Sequence, residues 1–397
     1  MAKILITSIG TGDIRKDSDG EYELTTYMIE DKPYKNTLTS QVIVEHYDID
    51  KIIFVGTRGS MWDNLYFLYD GKDESYMDTL TQKKKDNTLE LGDLGQFCQT
   101  IDSYLGQDGS SCLLLDYQQN DSNEIWQNFE LLTSIREQIN DGDEIYLDIT
   151  HGFRYMSILN IFLLEFLTIM HSVDFRIMAI LYGMFAGTKS EIIDFKIFFD
   201  LLEWMRAITA FKRYGDGWTL SNLMKEESLE ASKVFLQFGN TLGLAHMHAL
   251  WKFIKDANKK VRKIENAENK IVKLLSEDII DLTKRFDQEQ QSAFQYELAK
   301  WLYEQRNYAL SYIALYEAIV TKVCEDKGYD ILDHKQREEA KRRVDYPYDK
   351  LFLTKYNDSI SKIRNEIVHQ GNERQNRVNQ DINKLKEFIE SFESFFN

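Results

Sequence analysis

Asp143-Glu-Ile-Tyr-Leu-Asp-Ile-Thr-His-Gly-Phe-Arg154 is the stretch on which the reading of the fold turns. Ile145, Tyr146 and Leu147 read as a short buried strand, entered through a turn at Asp141-Gly142-Asp143. Past its end Asp148, Thr150, His151 and Arg154 crowd around Gly152 and Phe153, and residues 155–170 are an apolar run of helical length. A strand, a polar glycine-containing turn and a helix are how open α/β sheets build ligand crevices at their carboxyl edges. The new helix offers free backbone N–H groups and the positive end of its dipole, which suits an anion. Arg154 and a protonated His151 would add charge-assisted hydrogen bonds. The same residues read equally well as a capped helix start, with Thr150 as N-cap and the ionic groups solvated.

Two further tips resemble this one. Lys3–Ser8 reads as a strand running into Ser8-Ile9-Gly10-Thr11-Gly12, where paired glycines let a backbone approach a phosphate. A dinucleotide fingerprint is excluded, because the third glycine of G-x-G-x-x-G would fall at Arg15. Residues 51–55 form the next core strand, ending in Gly56-Thr57-Arg58-Gly59-Ser60, a second glycine-flanked tip with a cation. Strands are also expected at 22–28, 111–115, 175–182 and 191–198, and helices at 39–46, 95–105 and 124–139. Residues 70–95, with Lys83-Lys84-Lys85 and little periodicity, read as an exposed excursion. This alternation predicts a doubly wound sheet with tips 8–13, 56–60 and 148–154 along one edge. Their convergence favours a ligand site over a plain cap.

Beyond residue 200 no strand pattern recurs, and segment after segment has helical spacing. Residues 254–286 read as a long charged helix, with room for a break, forming a solvated hairpin arm. The chain is therefore expected to join a Rossmann-like α/β domain, residues 1–200, to an all-α region, residues 201–397. Its 397 residues suit two domains, and two prolines leave little room for disordered linkers. The amino terminus lacks a signal-peptide layout, and Asn160 and Glu165 interrupt the longest apolar run. Three cysteines, far apart and without zinc spacing, suggest a reducing compartment, so a cytoplasmic protein without a membrane span is expected. The net charge of −17 argues against nucleic acid at first sight. Residues 291–397, however, hold 17 Lys and Arg against 18 Asp and Glu, so nearly all the acidic excess precedes them. That near-neutral part carries Lys341-Arg342-Arg343.

A second centre of chemistry lies at Asp358-Ser-Ile-Ser-Lys-Ile-Arg-Asn-Glu-Ile-Val-His-Gln-Gly371. It reads as a helix capped by Asp358 and closed by Gly371, with Ile360, Ile363 and Ile367 as its buried stripe. Asn365 and His369 share the opposite face, with Arg364 on the shoulder. Histidine suits proton transfer near neutral pH, and arginine holds a phosphate and the charge developing on it. By spacing alone, Arg-x4-His is also what any surface helix with a histidine near its carboxyl end can show.

Together these segments resemble the CRISPR-associated ribonucleases of type III systems, which join a CARF (CRISPR-associated Rossmann fold) sensor to a helical HEPN nuclease. The resemblance spans nearly the whole chain. Asp148-Ile-Thr-His-Gly-Phe-Arg154 is similar to a signature of one branch of these sensors, and Arg364-Asn-Glu-Ile-Val-His369 fits the R-x(4–6)-H pattern of HEPN nucleases. The helix at 308–319 resembles the one packed against it. The resemblance implies a CARF domain over 1–200 and a HEPN core over about 291–397. It further implies a homodimer or higher oligomer, activated by a cyclic oligoadenylate (cyclic tetra-adenylate favoured) to cleave single-stranded RNA in antiviral defence. His369 would be the general acid/base, Arg364 the phosphate and transition-state stabiliser, and Asn365 the residue orienting one of them. Ser8, Gly10, Thr11, Gly12, Thr57 and Arg58, with Thr150, His151, Gly152, Phe153 and Arg154, would hold the activator.

No metal or other cofactor is expected. His246 and His248 are two apart on a helix and point away from each other, and no cysteine lies nearby. Two rivals remain: a CARF-containing transcriptional regulator, which would need a basic recognition helix, and a HEPN toxin ribonuclease, which would need no sensor half. Whether the sensor half also cleaves its own ligand stays open.

Overall fold

A computed structural model of the chain describes residues 1–11, 23–117, 122–152, 154–170, 174–186, 189–342, 350–368 and 377–396. The chain divides into two compact units, Met1–Asp200 and Leu201–Asn397.

The first unit is built on one eight-stranded sheet. Its strands are β1 (Lys3–Ser8), β2 (Thr25–Ile29), β3 (Lys32–Asn36), β4 (Lys51–Thr57), β5 (Ser111–Leu115), β6 (Glu144–Asp148), β7 (Arg176–Ala186) and β8 (Lys189–Asp194). They lie in the order β3-β2-β8-β7-β6-β1-β4-β5. Strands β5, β4, β1, β6 and β7 are parallel neighbours. Ile4, Leu5, Ile6, Ile52, Ile53, Ile145 and Leu147 are fully buried, as expected of parallel strands covered on both faces. The chain steps from β1 to β4 and β5 on one side, then returns to β6 and β7 on the other. The order therefore reverses between β1 and β6, and this is the switch point where such sheets leave a crevice at their carboxyl ends.

Several local expectations are corrected. Strand β2 answers to the strand expected over 22–28, but its pairing with β3 was not foreseen, because the turn is Glu30-Asp31 with both residues at positive φ, 47° and 64°. Asn-Gly is the usual signal for that geometry. The strand expected over 191–198 stops at Asp194, whose carboxylate accepts N–H bonds from Ile180 (3.0 Å) and Lys196 (2.8 Å) and so starts the helix Lys196–Tyr214. Residues 70–95 are no open excursion. They contain the helix Glu74–Asp86 and a 3-10 turn, Leu91–Leu94. Apolar spacing was weak because this helix buries only Leu80 fully, with Tyr76 and Met77 packed partly against the core. Lysines tie it down instead: Lys84 to the buried Asp63 (2.9 Å) and Lys83 to Asp93. The cysteines are not all apart either, since Cys98 and Cys112 bring their sulfurs to 3.3 Å.

The second unit is helical throughout its described residues, around a core that includes Phe211, Phe235, Phe238, Phe286, Phe294 and Trp301. The segment 246–286 is two helices, Met247–Val261 and Lys270–Arg285, with Asn269 capping the second through Ile271 N–H (2.9 Å). Residues 254–286 are not a solvated arm, because Ile254, Val261, Ile264 and Ile279 enter the core. The helices Gln291–Glu304 and Tyr308–Lys327 pack against each other, and Ser311 Oγ donates to Ala299 O at 2.7 Å between them. The helix that carries Arg364 begins at Lys350, so Asp358 is not its N-cap. Ile360 and Ile363 are buried but Ile367 is 38% exposed, so the apolar stripe ends one turn early.

Candidate functional site

Three strand tips meet at the switch point of the first unit. Ile9 N–H bonds Val55 O (2.8 Å), Met61 N–H bonds Gly10 O (3.0 Å), and Ser60 Oγ donates to Ile9 O (3.1 Å) while accepting from Thr57 N–H (2.9 Å). The tips after β1 and β4 are thus one hydrogen-bonded unit. On the other side, fully buried Asp148 accepts from Thr7 Oγ1 and from Thr150 N–H, both at 2.9 Å. Asn160, from the helix Arg154–Met170, donates to Ser8 Oγ at 2.9 Å. Gly152 has φ +93°, and a Cβ there would lie 3.0 Å from Ser8 Cβ. The tips after β1 and β6 approach too closely for a side chain at that point.

The expected ligand residues separate into two groups. Ser8 and Thr57 are buried and spend their hydroxyls on the framework. Gly10, Thr150, His151 and Gly152 are half-buried, while Thr11 and Arg154 are exposed. Arg58 is not a free cation, since it forms an ion pair with Asp116 beyond β5. Gly12 and Phe153 lie outside the described residues. Thr150 Oγ1 accepts from Gly183 N–H (2.8 Å), and His151 Nε2 shares a 2.8 Å hydrogen bond with Thr39 Oγ1. A Cβ on Gly183 would come within 2.7 Å of Thr39 and 3.0 Å of Thr150, so Gly183 has to be bare. Thr39, Gly183 and Asp116 had no signal in the sequence, because each acts only through a distant partner. Tyr155, at the mouth of the same helix, stacks on Tyr117 at 5.9 Å, and burial pushes its phenol up to about 12, so it remains a neutral hydroxyl.

The second centre is on the helix Lys350–Val368. Arg364 lies over the ring of Tyr316 at 4.9 Å, donates to Asn365 Oδ1 at 2.7 Å and approaches Glu317 Oε1 at 3.6 Å. Glu317 also pairs with Arg337, which in turn donates to Thr321 Oγ1 (3.3 Å) and Ile331 O (3.2 Å). The guanidinium is stacked and bonded on one edge, and among the described residues its buried Nε has no hydrogen-bond partner. Tyr316, Asn365 and Glu317 together fix the position of this guanidinium. Asn365 is exposed beside it, and His369 lies outside the described residues. Sequence reasoning missed Tyr316, Glu317 and Arg337. The first two share the helix already matched to the nuclease family, which was their only signal.

Comparison with known proteins follows the same division. Residues 4–185 match the family described as CRISPR system endoribonuclease Csx1, CARF domain, and residues 200–292 match CRISPR-associated protein MJ1674, second domain. Among curated relatives, CRISPR-associated protein MJ1674 of Methanocaldococcus jannaschii is 29% identical over 405 aligned positions. The match covers 93% of this chain and 62% of that protein, so the chain spans less than two thirds of its relative's length. Among solved structures, Enterococcus italicus Csm6 bound to cyclic hexa-2'-fluoro-hexa-dAMP aligns over 100% of this chain and 94% of its own. The TM-score is 0.46 and the identity 11%, a likeness too slight to build on. The amino-terminal unit is a CARF domain with a mixed sheet, and a helical region follows it.

Proposed function

We propose, from the premise that this is a CARF-containing CRISPR ancillary protein, that it is a cyclic-oligoadenylate-activated endoribonuclease acting on single-stranded RNA. One observation carries the reading: a chain with a CARF domain also presents, on a helix of its second unit, a stacked and partly unsatisfied Arg364 four residues before Val368-His369 closes the Arg-x4-His segment. The activator would occupy the crevice between the tips after β1 and β6, its phosphates facing the amino end of the helix Arg154–Met170. Gly10, Thr11, Thr150, His151, Gly152 and Arg154 are the described residues placed to meet it, and Gly12 and Phe153 are assigned to it from the sequence.

In the nuclease site the RNA 2′-hydroxyl attacks its own phosphodiester. His369 removes that proton and returns one to the leaving 5′-oxygen, while Arg364 neutralises charge growing on the phosphate. Asn365, bonded to Arg364, keeps the guanidinium fork in register. The products are a 2′,3′-cyclic phosphate and a 5′-hydroxyl. This route needs no divalent metal, so cleavage in excess EDTA should match cleavage in magnesium. Activity lost in EDTA and restored by magnesium would refute it, as would cutting of RNA that is 2′-O-methylated at the scissile position. Titrating each cyclic oligoadenylate against cleavage of labelled RNA tests the activation itself.

The site is proposed to be completed in a homodimer. The helices Ser122–Thr133 and Arg154–Met170 expose an apolar face, with Trp126 69%, Phe162 60%, Ile158 55% and Ile169 54% exposed. Bare apolar area of this kind marks an interface, and this one continues from the candidate crevice along the same helix. Phe162→Glu should shift the protein towards monomer in sedimentation and reduce activated cleavage at least tenfold. A variant that still sediments as a dimer would place the interface elsewhere.

A further inference from the structure

We propose that Cys98 and Cys112 are a peroxide-sensitive thiol pair that closes to a reversible intrachain disulfide. Cys98 lies on the helix Gly95–Leu105 and Cys112 in the edge strand β5, 14 residues later, with their sulfurs 3.3 Å apart. A disulfide needs about 2.05 Å, so the sulfurs must approach by only about 1.2 Å, within reach of small side-chain rotations. The two thiols differ as attacking and resolving partners should. Cys98 is half-buried, whereas Cys112 is only 6% exposed. The hydrogen bond from Cys112 holds the Cys98 thiol below its usual range, against the opposing effects of burial and nearby Asp102. Burial pushes the Cys112 thiol up.

The chemistry balances with a peroxide as oxidant. The Cys98 thiolate attacks the O–O bond, forming a sulfenic acid, and the displaced hydroxide leaves as water after taking a proton. The Cys112 sulfur then attacks the Cys98 sulfur, and the second oxygen leaves as water. Two thiols are oxidised by two electrons and the peroxide is reduced to two waters. The bridge would fasten the outermost strand, whose end leads to the Arg58 partner Asp116, to the helix before it. Cys324, fully buried in the second unit, is an internal control.

The full chain is treated with hydrogen peroxide, alkylated under denaturing conditions and weighed intact. Before alkylation the mass should fall by about 2 Da, and two of the three thiols should become unreactive until a reductant is added. Digestion should yield one linked peptide containing Cys98 and Cys112. In Cys112→Ser the mass loss should vanish and a sulfenic-acid probe should label Cys98. Three thiols still free after peroxide, a wild-type Cys98 carried on to the sulfinic acid, or a bridge through Cys324 or between chains would each overturn the proposal.

Discussion

Arg364→Ala is expected to lower activated RNA cleavage by about 10²- to 10³-fold, the usual cost of removing one preorganised donor to a developing negative charge. His369→Ala should cost about 10²- to 10⁴-fold by removing the proton carrier. Activator affinity should stay within twofold in both, because neither residue belongs to the CARF domain. Stability should change little for Arg364→Ala. The side chain is 28% exposed, and Glu317 keeps Arg337 as its partner. Arg364→Lys should not rescue activity, since a point charge can neither stack on Tyr316 nor bond Asn365 and phosphate together. Single-turnover cleavage at saturating activator, with calorimetry on the activator, separates chemistry from binding. Near-normal cleavage by either alanine variant would mean that the Arg-x4-His segment is an ordinary surface helix.

Gly152→Ala should weaken activator binding tenfold or more. At φ +93° a non-glycine residue carries backbone strain on the order of 1–3 kcal/mol. The added methyl also meets Ser8 Cβ at 3.0 Å and Met156 Sδ at 3.6 Å. Relief requires the tips after β1 and β6 to part, which distorts the crevice from the inside. Gly92→Ala is the matched control. Nothing lies within 4 Å of a Cβ there and its φ is outside the left-handed region, so affinity should not change. Calorimetry on the full chain at two salt concentrations reads both the loss and the phosphate contribution, which should weaken with salt. If Gly152→Ala lowers the melting temperature but binds cyclic oligoadenylate as before, the turn is only architecture and the activator binds elsewhere.

Much of this was legible locally. The runs at Ile4–Ile6, Ile52–Ile53 and Ile145–Leu147 read as core strands because parallel strands covered on both faces are continuously apolar. Glycine next to short polar residues marked the tips for a reason that also holds in space, as the Gly152–Ser8 approach shows. The helix Glu74–Asp86 was invisible for the converse reason. A helix held by Lys84–Asp63 and Lys83–Asp93 pairs needs only a short apolar contact at Tyr76, Met77 and Leu80, and ion pairs leave no apolar period.

The alternation of elements, the change to all-helix near residue 200 and the polar identity of each tip are written in short windows of residues, because hydrophobic spacing and turn chemistry act between neighbours. Long-range packing set the strand order that puts β1 between β6 and β4 and so opens the crevice. It also decided that Arg58 faces Asp116, that His151 meets Thr39 across 112 residues, that Arg364 rests on Tyr316, and that two separated cysteines touch. Each of these joins residues on different elements, and which elements become neighbours depends on how the whole sheet or helical core buries its apolar surface. No short window of sequence carries that sum.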